Sequence, residues 1–177
     1  MINEILVGDK VSIRPITLDD TDDIVRWRNS DFVRSKFIYR RIITKEMHEK
    51  WMSDFVFVGN VAQFIIEHNN EKIGSVYLRD IDNNNLKAEF GIFIGDSTNT
   101  SKGKGSEATL LILRYAFNTL KLNKVFLRVL ASNYRAIKSY EKVGFIKEGI
   151  AREDVIIDDV KHDVLFMSIL SNDFKGS

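Results

Sequence analysis

Ala131-Ser132-Asn133-Tyr134-Arg135-Ala136-Ile137-Lys138-Ser139-Tyr140-Glu141-Lys142-Val143-Gly144-Phe145 is the stretch that decides the fold. Asn133 has the short polar side chain of a helix N-cap, and Gly144 is well placed to end the helix. Upstream, Val125 to Leu130 is a strand rich in β-branched and apolar residues. Before it, Ser106 to Leu120 puts Ala108, Leu111, Ile112, Tyr115 and Ala116 on one helical face. A polar, glycine-containing loop, Gly95 to Gly105, leads into that helix and ends in Ser101-Lys102-Gly103-Lys104-Gly105-Ser106. The loop follows a strand, Leu86 to Ile94. One face of this strand carries Ala88, Phe90, Ile92 and Ile94, and the other carries Lys87, Glu89, Gly91 and Phe93. Downstream, Phe145 to Arg152 and His162 to Leu170 read as a closing hairpin.

The first half supplies the rest of the sheet. Val11 to Ile16 is an opening strand. Thr17 caps the next helix, with Asp20 three residues on in a capping-box-like arrangement. Ile24, Trp27 and Arg28 lie on one side of that helix. Thr44 caps a second helix, in which Met47, Trp51 and Phe55 recur at helical spacing and are expected in the core. Val61 to Glu67 and Ile73 to Asp80 flank His68-Asn69-Asn70-Glu71-Lys72 as a hairpin. The order β-α-α-β-β-β-α-β-α-β-β is a mixed α/β (α+β) sheet with helices packed on it.

The 177 residues fit one domain, 1–177, with no linker, repeat or low-complexity tract. A formal net charge of +1 gives no clustered basic excess for a nucleic-acid partner. The absence of cysteine removes disulfides, thiolate nucleophiles and cysteine metal sites. His48, His68 and His162 show no metal-ligand spacing, so no metal is expected. Neither a signal-peptide core nor a membrane-length apolar run occurs, and the expected location is the cytoplasm, away from the membrane.

Glycines at a helix start let the backbone turn tightly and approach a ligand, and the free N–H groups there favour an anion such as a pyrophosphate. Taken alone, Gly103-Lys104-Gly105 is an ordinary turn, and it matches neither a Walker A loop nor a dinucleotide fingerprint. In company it says more. Gly-Lys-Gly-Ser-Glu-Ala, a strand, Asn133, Tyr140 and Gly144-Phe145, in that order and spacing, resemble the GNAT acetyltransferases. Trp27-Arg28-Asn29, the Thr44 to Trp51 helix, and Lys161-His162-Asp163-Val164 with Met167 are similar to one branch of that superfamily. It contains ribosomal-protein alanine, spermidine and pseudaminic-pathway amino-sugar acetyltransferases.

The resemblance implies a mixed, mostly antiparallel sheet of about seven strands flanked by helices, with a splayed cofactor cleft. It implies acetyl-CoA as co-substrate and direct transfer to a primary amine. The pantetheine arm would pair with the backbone at Ile92, Phe93 and Ile94. Backbone N–H groups of Lys102, Gly103, Lys104, Gly105, Ser106 and Glu107 would hold the pyrophosphate, and Asn133 would contact the pantetheine or open the gap. Tyr140 would protonate the leaving thiolate, since a phenol (about 10) and a thiol (about 8.5) have pKa values close enough to share a proton.

One departure concerns the base. Many members carry Glu where this chain has Arg128, which is permanently protonated. Glu89 is the substitute, acting through a water. Against that stand pairing of Glu89 with Lys87 or Arg128, and release of the amine's proton to solvent with no protein base. Arg28 and Asn29 fall where relatives shape the acceptor pocket and are expected to bind substrate. The expected acceptor is a small amine such as a nucleotide-linked 4-amino sugar. A protein N-terminus or a polyamine is the alternative within the family, and a non-catalytic acyl-CoA-binding module the alternative outside it. Relatives often dimerise through strand edges or helices, so a homodimer is an expectation too.

Overall fold

The computed structural model describes residues 4–100 and 103–176. A two-residue strand, β1 (Leu6–Val7), pairs antiparallel with β2 (Ser12–Pro15). Thr17 and Asp20 form the expected capping box at a 3₁₀ turn, Leu18–Asp20, which runs into α1 (Thr21–Asn29). The short α2 (Asp31–Arg34) follows. Thr44 caps α3 (Lys45–Trp51) by accepting the Met47 N–H at 3.2 Å. Then β3 (Ala62–His68) turns through Asn69 and Asn70 into β4 (Glu71–Asp82). Both asparagines sit at positive φ, 51° and 63°, the twist a tight hairpin needs. After β5 (Lys87–Ile94) come α4 (Lys104–Arg114), β6 (Lys124–Leu130), α5 (Tyr134–Val143), β7 (Ile146–Ile157) and β8 (Val160–Leu170).

All eight strands form one sheet in the order β1-β2-β3-β4-β5-β6-β8-β7. The strand beyond the expected seven is β1, too short to leave a periodic signature. Every neighbouring pair is antiparallel except β5 and β6, which run parallel. That pairing covers only Lys87–Lys124, Ala88–Val125 and Glu89–Phe126. Beyond it, β5 stays with β4 as far as Ile94 and β6 stays with β8 as far as Leu130. The sheet therefore splits between Phe90 and Leu127.

Two cores sit on opposite faces. Ala88, Phe90 and β6 residues Val125, Leu127 and Val129 pack with Ala108, Leu111, Ile112 and Ala116 beneath α4 and α5. Phe93 and Ile65 pack with Ile24 and Trp27 of α1 and Val33 of α2 on the other. The alternation along β5 is the one its sequence predicts.

The face of α3 differs from expectation. His48 and Met52 are buried, Trp51 is half-buried, and Phe55 is exposed. Past Trp51 the chain widens into a π turn, Met52–Val56, closed by the Phe57 N–H on the Met52 carbonyl at 2.9 Å. A wider turn breaks the 3.6-residue phase and swings Phe55 outward. Among the described residues no helix is long and apolar enough to cross a membrane.

Burial pushes the His48 imidazole down to about 4 from an ordinary 6.5. Its Nδ1 meets the Thr21 hydroxyl at 3.1 Å, and its Nε2 is buried without a partner. Because the folded value lies below the unfolded one, the unfolded chain takes up the proton first as pH falls. The protein should hold its full stability above pH 6.5 and lose roughly 2 to 3 kcal/mol by pH 4.5. Urea midpoints at pH 7 and 4.5 read the loss, and His48→Gln should flatten the slope between them. An equally steep loss in the variant would assign it to other groups.

Candidate active site

The split between β5 and β6 opens a cleft of about 700 Å³. Its floor is β5. Gly95 donates to the Ile73 carbonyl at 2.8 Å, which fixes the alternation of the antiparallel ladder with β4. The odd residues of β5 direct their main-chain groups to β4, and Phe90, Ile92 and Ile94 direct theirs into the gap. Ile92 and Ile94 thus meet the expectation of backbone facing the cleft. Phe93 corrects it: its main chain faces β4, and its side chain belongs to the core with Trp27 and Phe37, at 6.2 and 5.8 Å between ring centres.

At one end of the cleft stands the start of α4. Gly103, at φ 80°, is its N-cap, a conformation that costs glycine nothing. The first intrahelical bond runs from the Glu107 N–H to the Gly103 carbonyl at 3.0 Å. Lys104, Gly105 and Ser106 precede that bond, so their N–H groups are the ones a helix start leaves for an anion. Glu107 is a correction, because its N–H is spent inside the helix. Its carboxylate accepts the Lys10 N–H at 3.0 Å and the Asp9 N–H, pinning the β1–β2 turn to α4. The Lys104 side chain is buried and donates to Asn99 at 2.8 Å, which holds the loop against the helix. Lys102 lies outside the described residues.

The opposite wall is α5. Asn133 caps it, accepting the Ala136 N–H at 3.3 Å, and Gly144 ends it at φ 112°. Ser139 of α5 and Ser106 of α4 share a hydrogen bond of 3.1 Å across the cleft mouth. One turn before the end, Tyr140 packs edge-on against Phe90 and beside Phe145, each 5.9 Å between ring centres. Burial raises its hydroxyl well above the ordinary phenol value, and the nearby Tyr77 adds to the shift. Tyr140 lines the cleft where the two strands part.

The sequence reading missed what β4 places beside β5. Tyr77 of β4 faces Gly91 of β5, and any side chain at Gly91 would run into the Tyr77 ring. Next to it Arg79 faces Glu89. The buried Glu89 carboxylate accepts from Arg79 at 2.9 Å and from Arg128 at 3.1 Å. Of the three readings of Glu89, the pairing with Arg128 is found. That bridge ties β4, β5 and β6 together at the apex of the split. Arg28 also reaches this wall, its guanidinium 3.7 Å over the Phe37 ring. Asn29 does not. Its amide accepts the Ile43 N–H at 2.9 Å and donates to the Ile43 carbonyl at 2.8 Å, so it is a clamp on the α2–α3 connection rather than a substrate ligand. The glycine opposite Tyr77 was the one sign of a large residue lying across β5.

A split parallel pair, a bare helix start on one side and a tyrosine on the other are the parts of an acyl-CoA cleft. The sequence pattern of the acetyltransferase (GNAT) domain matches residues 10–146. The chain belongs to the GNAT acetyltransferase family. It is 30% identical over 181 residues to the probable N-acetyltransferase YjcK of Bacillus subtilis, covering 95% of this chain and 98% of that one. It is 32% identical over 168 residues to the spermidine N(1)-acetyltransferase of Escherichia coli, covering 93% and 88%. The spermidine N-acetyltransferase of Vibrio cholerae, solved with CoA and spermine, superposes with a TM-score of 0.88 at 26% identity, covering 94% of this chain and 98% of that one.

GNAT acetyltransferases use acetyl-CoA, which supplies an activated acyl group as a thioester. The residues present fit it. The first-turn N–H groups of α4 suit a pyrophosphate, and the gap-facing backbone of Ile92 and Ile94 suits an amide-bearing arm. Lys138 and Lys142 on α5 add positive charge along the same wall.

Proposed function

We propose that the protein transfers an acetyl group from acetyl-CoA directly to a primary amine, with Tyr140 as general acid. The observation that carries this reading is the position of Tyr140, half-buried and packed edge-on against Phe90 at the point where β5 and β6 separate. Burial keeps the hydroxyl protonated, so a proton is on hand when the amine's attack expels the thiolate. The cofactor would enter past α4, and the amine would come from the opposite face, past Tyr77 and Arg28. The amine must be neutral to attack. Glu89, with its oxygens held by two guanidiniums, is better placed to fix Arg79 and Arg128 than to take that proton. The proton leaves to solvent through the open cleft.

The acceptor we favour is a small amine carrying negative charge, of which a nucleotide-linked 4-amino sugar is the type. Among the described residues eight lysines and arginines line the cleft against one carboxylate, Glu89. A polyamine is the second reading, favoured by relatives that carry spermidine acetyltransferase names. The excess positive charge counts against it, since like charge in a partly enclosed cleft repels a polycation.

Release of free CoA from acetyl-CoA, followed with a thiol reagent, tests the reading across nucleotide-linked amino sugars, spermidine, aminoglycosides and peptides starting in Ala or Ser. Turnover of the nucleotide-linked amines, with spermidine at least tenfold weaker in kcat/KM, is the expected result. Tight CoA binding with no turnover of any amine would favour a non-catalytic acyl-CoA-binding module instead.

A further inference from the structure

We infer that the wall of the cleft opposite α5 holds an oxyanion-binding subsite, built on Arg28, that receives a carboxylate or phosphate borne by the acceptor. The inference rests on the amine-acetylation reading and goes further, to a residue and a ligand chemistry.

The arginines around α1 and α2 set Arg28 apart. Arg26 pairs with Asp23 at 2.6 Å, Arg34 with Asp31 at 2.8 Å, and Arg40 with Asp158 at 3.2 Å. Arg28 is drawn into the cleft and has no carboxylate partner among the described residues. What it has is the Phe37 ring, 3.7 Å from the guanidinium carbon. Stacking satisfies the face of a guanidinium and leaves its in-plane N–H donors to another partner. A charged group withdrawn from water without a counter-charge is costly, and burial accordingly holds the Arg28 guanidinium below its ordinary range, with Arg79 adding to the effect.

The neighbours do not relieve it. Glu89, the one carboxylate lining the cleft among the described residues, is already shared between Arg79 and Arg128. With Arg79 and Arg128 sharing Glu89 and Arg28 lining the same cleft, the three guanidiniums exceed that carboxylate by two positive charges. Such a site attracts an oxyanion and repels an ammonium. Position agrees with an acceptor role. Arg28, Tyr77, Arg79 and Tyr140 line the same cleft, and the Tyr77 ring lies against Gly91 of β5. An acceptor whose anion docks on Arg28 would extend over Tyr77 towards Tyr140, with its amine at the far end.

Two measurements test this. First, the protein is saturated with CoA, so that the cofactor's own phosphate sites are filled, and titrated calorimetrically with UDP, inorganic phosphate and succinate. At least one phosphate or carboxylate probe should bind, and Arg28→Gln should weaken it tenfold or more while the Kd for CoA stays within threefold. Arg28→Lys, which keeps the charge without the fork, should fall between. Which probe binds separates a phosphate from a carboxylate source. No binding by any probe, or equal binding by Arg28→Gln, overturns the subsite. Second, CoA release is compared for phosphoethanolamine against ethanolamine and for β-alanine against its amide. The anionic member of one pair should be favoured at least tenfold in kcat/KM, and Arg28→Gln should erase that preference through KM. Probe binding that depends on Arg28, with no amine turned over, would keep the subsite and remove the acetylation reading. Turnover with the same preference in both proteins would keep the acetylation reading and remove the subsite.

Discussion

Tyr140→Phe should lower kcat by about 10² to 10⁴ while the Kd for CoA moves by less than threefold. The packing predicts that the variant folds, because the ring, not the hydroxyl, fills the space beside Phe90 and Phe145. Only the proton source is removed. A thiolate leaving unprotonated has a basic, poorly stabilised sulfur, and the loss corresponds to about 3 to 5 kcal/mol of transition-state stabilisation. Since burial holds the Tyr140 hydroxyl protonated well past its ordinary range, the deficit should be the same at pH 7 and pH 9. A variant that turned over normally would reduce Tyr140 to a packing residue, and the cleft would then need another acid. Pre-steady-state measurement distinguishes a slowed chemical step from slowed product release.

Much of this site is legible in the sequence, and the parts that are not have physical reasons. The caps read correctly: Thr17 with Asp20, Thr44, Asn133 and Gly144 each hold the helix end that their side chain or lack of one suits. The faces of β5 and α4 read correctly as well, because period and burial coincide there. The face of α3 lies one position on from the apolar series, because the polar His48 takes the buried place together with Met52, and the π turn that follows carries Phe55 outward. Asn29 and Glu107 were misread for a different reason. Each has the chemistry to bind a ligand, but Asn29 spends its amide on Ile43 and Glu107 its N–H on Gly103. Which acceptor a polar group finds depends on where a loop returns, and spacing does not encode that. Tyr77 and Arg79 went unnoticed because alternation along β4 does not say which residues of β5 they oppose. Register supplies that, and with it comes the guanidinium cluster around Glu89.

The largest effect on stability is expected at Asp20, far from the chemistry. Its side chain is fully buried. Arg14 grips both oxygens at 2.7 Å, Lys72 donates at 2.7 Å, and the Thr17 N–H donates at 2.9 Å. Burial alone would raise this carboxyl, but the bonds from Arg14, Lys72 and Thr17 outweigh it and hold it well below the usual carboxylate range. One side chain thus ties β2, β4 and the start of α1 together. Asp20→Ala would leave two cations facing a void, and breaking a buried pair from one side typically costs about 3 to 5 kcal/mol. The low end is expected here, because Arg14 keeps Glu67 at 2.8 Å and Lys72 keeps Asp23 at 3.1 Å. Asp20→Asn retains one acceptor oxygen and the volume, so it should lose less than Ala. Urea is the denaturant to use, since guanidinium salt would screen the charges being measured. The sign with pH follows from the depressed carboxyl. The contribution is complete above about pH 4 and is lost as pH falls further, so wild type and Asp20→Asn should converge in strong acid. A loss below about 1 kcal/mol for Asp20→Ala at pH 7 would place this network with ordinary surface ion pairs. The burial of Asp20 argues against that outcome.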